Sequence, residues 1–366
     1  LQQSANPESK EVVTVSPRRA TLRDVAEQAG VSVSTASRAL SGFPAISTTT
    51  RDRVEKAARE LNYLPNLQAR GLRNSNSAAI GLTVPSLVNP YFAEMATAIQ
   101  QAAERDGYST VTASTHEDAT QFDAALRVFQ SQQLSGFIIV PAAESADAIE
   151  GLKQNGHLIV QVDRRLQGLD LPSVVSDPEV SIHEAVGLLY ENGHRRIGYL
   201  AEPSSTSTGV QRLACFESAV ANHPDLEPVI YRGGYRREEG HAGTMTLLRD
   251  QVTAVIAGDS MMTTGALEAC YEMGMQPGVD LALIGFDDQP AFRIQPAPLT
   301  VIDQNVTELG RRAWAKLHAM LQGEDYESEE VLPTRLIVRE SSKRTAQPRA
   351  RQSDIQQSDH FKEVQG

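Results

Sequence analysis

The chain has little of what an oxidised secreted protein, a membrane protein or a hydrolase would need. Its 366 residues include only two cysteines, Cys215 and Cys270. That is too few for a disulfide framework; both fall in apolar helical patterns, so buried free thiols in a reducing cytosol are expected. No run of eighteen apolar residues occurs, which argues against a membrane-crossing helix. The opening LQQSANPESKEVVTVS is polar and has no apolar signal-peptide region, and residues 1–19 are expected to be a disordered tail. G-x-S-x-G, H-E-x-x-H and phosphate-loop signatures are missing, and the eight histidines show no metal-ligand spacing. No catalytic residue, metal or cofactor is therefore expected, and His194, after Gly193 at a helix end, reads as structural. Basic charge is also scarce: 34 Lys and Arg stand against 46 Asp and Glu, net −12, which over the whole molecule argues against nucleic acid.

The charge balance reverses in one segment. Residues 18–74 hold ten basic and five acidic side chains, net +5, leaving −17 on the remainder. A basic end on an acidic body attracts phosphate at one place and repels it elsewhere. The same segment contains TLRDVAEQAGVSVSTASRALSG, residues 21–42. Thr21 and Asp24 have capping-box spacing, and Leu22, Val25, Ala26 and Ala29 form an apolar stripe on a short first helix. Gly30 permits a tight turn. Ser32 caps a second helix to about Leu40 that offers Val33, Ser34, Thr35, Ser37 and Arg38, with Ala36 and Leu40 inward. Ser47 caps a third, with Val54, Ala57, Ala58 and Leu61 on one side. Two helices around a glycine turn, the second small and hydrogen-bonding with one guanidinium, read as a helix-turn-helix.

The next segment, LNYLPNLQARGLRN at 61–74, makes the likeness specific. T-L-x-D-V-A-x-x-A-G-V-S-x-x-T-x-S-R, then L-N-Y-x-P-N and A-R-x-L, resembles the lac repressor/galactose repressor family of bacterial transcription regulators over about residues 20–340. The resemblance implies a headpiece (20–65) in the major groove and a hinge helix and linker (66–77) paired in the minor groove. The DNA-contacting residues it implies are Thr21, Arg23, Ser32, Val33, Ser34, Thr35, Ser37, Arg38, Ser41, Asn66, Ala69 and Leu72. A hinge this short, containing Gly71, is not a stable helix alone. It is expected to fold on DNA and wedge Leu72 between base pairs.

From residue 78 short apolar runs alternate with amphipathic helices. AIGLTV (79–84), 108–113, GFIIV (136–140) and LIVQV (158–162) read as strands, with helices at 90–106, 119–133 and 146–154. After Asp163 the alternation restarts at VVS (174–176). It continues through IGYLA (197–201), VIY (229–231), AVIAG (254–258) and LALIGF (281–286), with helices at 178–192, 208–222, 237–250 and 260–273. The fold class is α/β: two lobes of parallel sheet covered by helices. The family resemblance adds a periplasmic-binding-protein-like core (78–342), three chain crossovers and a small ligand in the cleft. On that basis lobe 1 is about 78–163 and 305–330, and lobe 2 about 164–304 and 331–342.

Ligands of open α/β sheets bind beyond the carboxyl ends of the strands. Those ends carry Ser86–Phe92, Asp163 and Arg164, Ser204–Arg212, Asp259, and Asp287 with Asp288. Carboxylates and a guanidinium beside Asn89, Tyr91 and Phe92 suit a polyhydroxylated molecule, since each can hold adjacent hydroxyls and an aromatic face accepts a sugar ring. Positions matched to the family imply that Asp163, Thr208, Arg212, Asp287 and Gln304 contact effector, with Tyr235 as an aromatic neighbour. Gly258-Asp259 departs from the Asn-Asp of many members. The implied molecule is a cytoplasmic repressor that binds palindromic double-stranded DNA as a homodimer, with no membrane partner. A sugar-like effector (pentose, hexose or nucleoside) in the cleft releases it from DNA. Residues 343–366 have no leucine heptad and are expected to be a tail, so a dimer is favoured over a tetramer. The alternative is a solute-binding protein of the same core fold.

Overall fold

The computed structural model of the protein describes residues 20–41, 43–61, 63, 79–166 and 168–343. These fall into two units, one within residues 1–77 and the other within 78–366. Asn66, Ala69 and Leu72, the rest of the expected hinge, and the expected tails (the second from residue 344) lie outside the described residues.

The first unit is built from α1 (Leu22–Gln28), α2 (Val33–Leu40) and α3 (Thr48–Glu60). Thr21 and Asp24 close a reciprocal capping box, Ser32 Oγ accepts from the Thr35 N–H, and Ser47 Oγ accepts from the Thr50 N–H. Each satisfies an amide that the helix leaves without a partner. Gly30 has φ +65° with nothing within 4 Å of a Cβ, so the backbone angle and not space requires glycine. Val25, Ala26, Ala36, Ala39, Val54 and Ala57 make the core. These small side chains let three short helices approach closely. Leu40 is only half-buried; Ala39 takes the deeper position.

The second unit holds two six-stranded sheets. The first has the order β11-β5-β4-β3-β1-β2 and is parallel throughout. Its strands are β1 (Ala79–Val84), β2 (Ser109–Ser114), β3 (Phe137–Ile139), β4 (Ile159–Asp163), β5 (Ser173–Asp177) and β11 (Glu329–Pro333). The second, ordered β12-β10-β9-β8-β6-β7, uses β6 (Arg196–Ala201), β7 (Glu227–Arg232), β8 (Ala254–Ala257), β9 (Ala282–Phe286), β10 (Thr300–Asp303) and β12 (Arg335–Ile337). Only β12 runs antiparallel to its neighbour. Helices α4 (Pro90–Arg105) and α12 (Val306–Gln322) cover one face of the first sheet, and α5 (Ala119–Ser131) and α6 (Ala146–Gln154) the other. On the second sheet α7 (Glu179–Glu191) and α8 (Ser207–Ala221) lie opposite α9 (Arg237–Arg249) and α10 (Ser260–Glu272). A short α11 (Pro290–Arg293) follows β9. Central strands are buried on both faces, which is why they read as continuous apolar runs.

The topology corrects the expected lobe boundaries. Residues 173–177 pair with β4 and β11, so the first crossing comes after Asp177 and not at 163, and the third falls at Thr334 and not at 330. Strand–helix alternation shows where strands are, not which sheet each joins. The crossings are stitched together: Ser176 Oγ donates to Gln304 Oε1 (2.7 Å), and Thr334 donates to the Asp177 carbonyl through its N–H (3.1 Å) and its hydroxyl (3.0 Å). Both cysteines are free thiols, but the expectation that both are buried holds only for Cys270; Cys215 is half-buried.

Candidate functional site

On the first unit α2 exposes Val33, Ser34 and Arg38, with Thr35 and Ser37 half-buried and Ser41 exposed at its end. Ser32 Oγ also meets the hydroxyls of Ser34 (2.9 Å) and Thr35 (2.8 Å). The Arg38 guanidinium lies 5.8 Å from the Phe43 ring centroid. Thr21 and Arg23 are exposed at the start of α1. The surface combines an apolar group, hydroxyls and one cation on a helix end, suited to reading base edges.

In the second unit, the ends of strands from both lobes meet around one cavity. All ten candidates line it: Asn89, Tyr91, Phe92, Asp163, Thr208, Arg212, Tyr235, Asp259, Asp287 and Gln304. Arg164 and Ser260, outside that candidate set, line it too.

The first lobe contributes an aromatic and acidic wall. Asn89 caps α4, its Oδ1 accepting from the Tyr91 N–H (3.0 Å) and facing Ser260 Oγ of the other lobe (3.4 Å). Tyr91 and Phe92 pack edge to face, and the Tyr91 hydroxyl donates to Asp163 Oδ1 (2.7 Å). Burial among acids drives the Tyr91 phenol well above its ordinary value, so it stays a donor. Asp163 ends β4 with φ +71°, a left-handed conformation that Asp tolerates better than most residues. Arg164 is held by Asp163 (3.3 Å) and, through both terminal nitrogens, by Glu117 (2.8 and 3.0 Å). It also lies 5.0 Å over the Tyr235 ring across the cleft, and the neighbouring Arg165 N–H donates to Ser207 Oγ (3.0 Å).

The second lobe contributes a polar chain. Tyr235, Thr206 and Thr208 share hydroxyl hydrogen bonds, and burial pushes the tyrosine up to about 12. On α8, Arg212 Nη1 donates to Glu202 Oε1 (2.9 Å) and the Gly258 carbonyl (2.8 Å), and Nη2 donates to Gln304 Oε1 (2.9 Å). Its guanidinium stacks 4.2 Å from the Phe286 ring. Gln304 Nε2 donates on to Asp287 Oδ1 (2.7 Å), and Asp259 caps α10 through the Met262 N–H (2.6 Å). Asp287 has φ +64°, mirroring Asp163 at the equivalent strand end. Desolvation raises both Asp259 and Asp287 to about 7.

Glu202, fully buried, was missed because the strand-end segment considered after β6 began at Ser204. The signal was present: a glutamate directly follows the apolar run IGYLA. No group of His, Cys, Asp and Glu among the described residues is arranged to hold a metal.

Residues 21–66 match the family described as bacterial regulatory proteins, lacI family, and residues 186–342 match the periplasmic binding protein-like domain. The HTH-type transcriptional repressor CytR of Escherichia coli K12 is 32% identical over 88% of this chain and 96% of its own length. The lactose operon repressor of the same organism is 30% identical over 92% and 96%. Among solved structures, a probable LacI family transcriptional regulator from Corynebacterium glutamicum shows 42% identity (TM-score 0.68, 73% of this chain and all of that one). The lac repressor dimer bound to operator and the anti-inducer ONPF shows 29% (TM-score 0.78, 89% and 100%). A solute-binding reading accounts for the match at 186–342 but not for the one at 21–66.

Proposed function

The chain belongs to the lacI family of bacterial regulatory proteins, and from that premise we propose that it is a homodimeric, cytoplasmic repressor released from operator DNA by an uncharged sugar or nucleoside. It is a regulator and not an enzyme. The observation that carries the effector half is the single cavity fed by both lobes, with Asn89 and Asp163 on one side and Arg212 and Asp287 on the other. A molecule touching both sides has a different affinity for each lobe angle, which is the condition for shifting a conformational equilibrium. On DNA, Arg38 reads a guanine edge in each half-site, while Leu72 wedges the operator centre. None of the described helices is long and apolar enough to cross a membrane.

The test is a gel shift with DNA from upstream of the protein's own gene, titrated with pentoses, hexoses and nucleosides. One of these should release the complex. Arg38→Ala should lose about 1–3 kcal/mol of discrimination between operator variants and change nonspecific binding less. Sedimentation should give a dimer. If no panel member changes operator affinity, the effector reading fails; unchanged discrimination by Arg38→Ala defeats its role in base reading.

A further inference from the structure

Behind Arg212, off the cavity wall, lies a carboxylate with no exposure. Glu202 follows β6 and Gly258 follows β8; these strands are neighbours with Leu200 opposite Ala257, so the two residues leave the sheet on adjacent strands, one register step apart. A Cβ at 258 would stand 2.3 Å from Glu202 Oε2 and 2.7 Å from the Leu200 carbonyl oxygen. Glutamate at 202 in this position therefore requires glycine at 258, as does the Leu200 carbonyl.

We propose that Glu202, admitted by Gly258, is a positioning residue for Arg212 that makes the cavity prefer an uncharged, hydroxyl-rich ligand to an anionic one of the same shape. The inference rests on reading the cavity as the effector site. A guanidinium has five N–H donors. On Arg212, Nη1 is engaged by Glu202 and the Gly258 carbonyl, and Nη2 shares one hydrogen with Gln304. The Phe286 ring fixes the plane. What remains for a ligand is one edge of a cation already paired with a carboxylate. The other cavity guanidinium, Arg164, is likewise engaged by Glu117 and Asp163. Asp163, Asp259 and Asp287 add carboxyl groups to the wall. A phosphate or carboxylate would displace an existing partner or face a like charge, whereas a hydroxyl donates to the carboxyls and accepts from the free edge.

The experiment uses the full chain labelled with ¹⁵N-arginine, without ligand or DNA, and Arg212→Lys assigns the side-chain signals. In the parent protein the Arg212 Nη hydrogens should rotate slowly and exchange slowly with water. Glu202→Ala, and separately Gly258→Ala, should speed that exchange at least about tenfold, the effect of losing a charge-assisted hydrogen bond. Glu202→Gln, which keeps the shape and an acceptor oxygen but removes the charge, should speed it less than Glu202→Ala does. Unchanged exchange in Glu202→Ala would overturn the positioning role. If Glu202→Ala does not fold, comparison of Glu202→Gln with the parent decides the same question. Calorimetric titration of the parent with orthophosphate and D-ribose 5-phosphate should show no binding that Arg212→Ala removes; Arg212-dependent binding of either overturns the preference. The NMR readout needs no effector, so it can fail while the operator panel succeeds, and the reverse.

Discussion

The two lobes are built on one plan and furnished differently. Each is a six-stranded sheet whose third to fifth strands, counting the return strand as the first, are β4, β3 and β1 in one lobe and β9, β8 and β6 in the other. Each presents an aspartate in the left-handed region at the equivalent strand end, Asp163 and Asp287. In the first lobe the attached guanidinium, Arg164, is shared between the buried Asp163 and, through both terminal nitrogens, Glu117, whose side chain is 33% exposed. In the second, Arg212 leans on Glu202, whose side chain is 0% exposed. The scaffold fixes where a carboxylate points, and the depth of the neighbouring acid decides how firmly the cation is held.

The comparison is sharpest when each cation is removed. Arg212→Ala leaves Glu202, whose carboxyl burial already pushes up, without its partner and should cost up to about 3–5 kcal/mol in chemical denaturation, while also abolishing the effector response. Arg164→Ala should cost only roughly 1–2 kcal/mol, because Glu117 returns to water and Asp163 keeps the Tyr91 hydroxyl. Equal losses would mean that burial of the partner is not what separates the lobes.

A pH titration comes next. Asp259 and Asp287, both of the second lobe, sit at about 7 when folded, against about 3.9 for an unperturbed Asp. Between those values the folded chain binds more protons than the unfolded one, so stability falls as pH rises from about 4 to 7 and levels off above. The slope is at most roughly 1.4 kcal/mol per pH unit per group. Asp287→Asn and Asp259→Asn should each flatten it, read as melting temperature against pH. A slope that survives both substitutions must come from elsewhere.

The smallest effect is at the join. Ser176→Ala removes the hydroxyl that links the first crossing to Gln304 and should cost about 0.5–1 kcal/mol. It should alter the effector concentration needed for release more than it alters operator affinity in effector-free protein. A stability loss as large as that of Arg212→Ala would make the join, and not the second lobe, the dominant element.

Local chemistry was legible in the chain and global connectivity was not. The caps at Thr21, Ser32 and Ser47, and the glycine turn at Gly30, are decided by residues within four positions of one another. The strands were legible because burial on both faces leaves an unbroken apolar run. Eight of the ten cavity residues could be found because open parallel sheets put one end of every strand in the same place; Tyr235 and Gln304 were legible only through the family resemblance. Ser173–Asp177 could not be assigned to its sheet, since a pairing with β11 more than 150 residues away leaves no trace in spacing. Helix α12 escaped for a related reason: its stripe, Leu309, Ala313, Trp314 and Leu317, gains meaning only against α4 of the distant first lobe. Glu202 escaped because a buried charge is recognised by its partners, and these come from α8 and the end of β8.

Thr334, the only residue between β11 and β12, has a mechanical consequence. Two Cα–Cα steps of about 3.8 Å are all that join the return strands of the two sheets, so that edge cannot stretch. The other two crossings, at Asp177 and Gln304, are tied to the same edge. Parallel separation of the lobes is thereby blocked, and only angular travel is left. The strand orders place β2 and β7 at the opposite edges, five spacings or roughly 24 Å from β11 and β12. The second unit is kinematically a pair of tongs: a shift near the pivot is delivered as a larger arc at the tips.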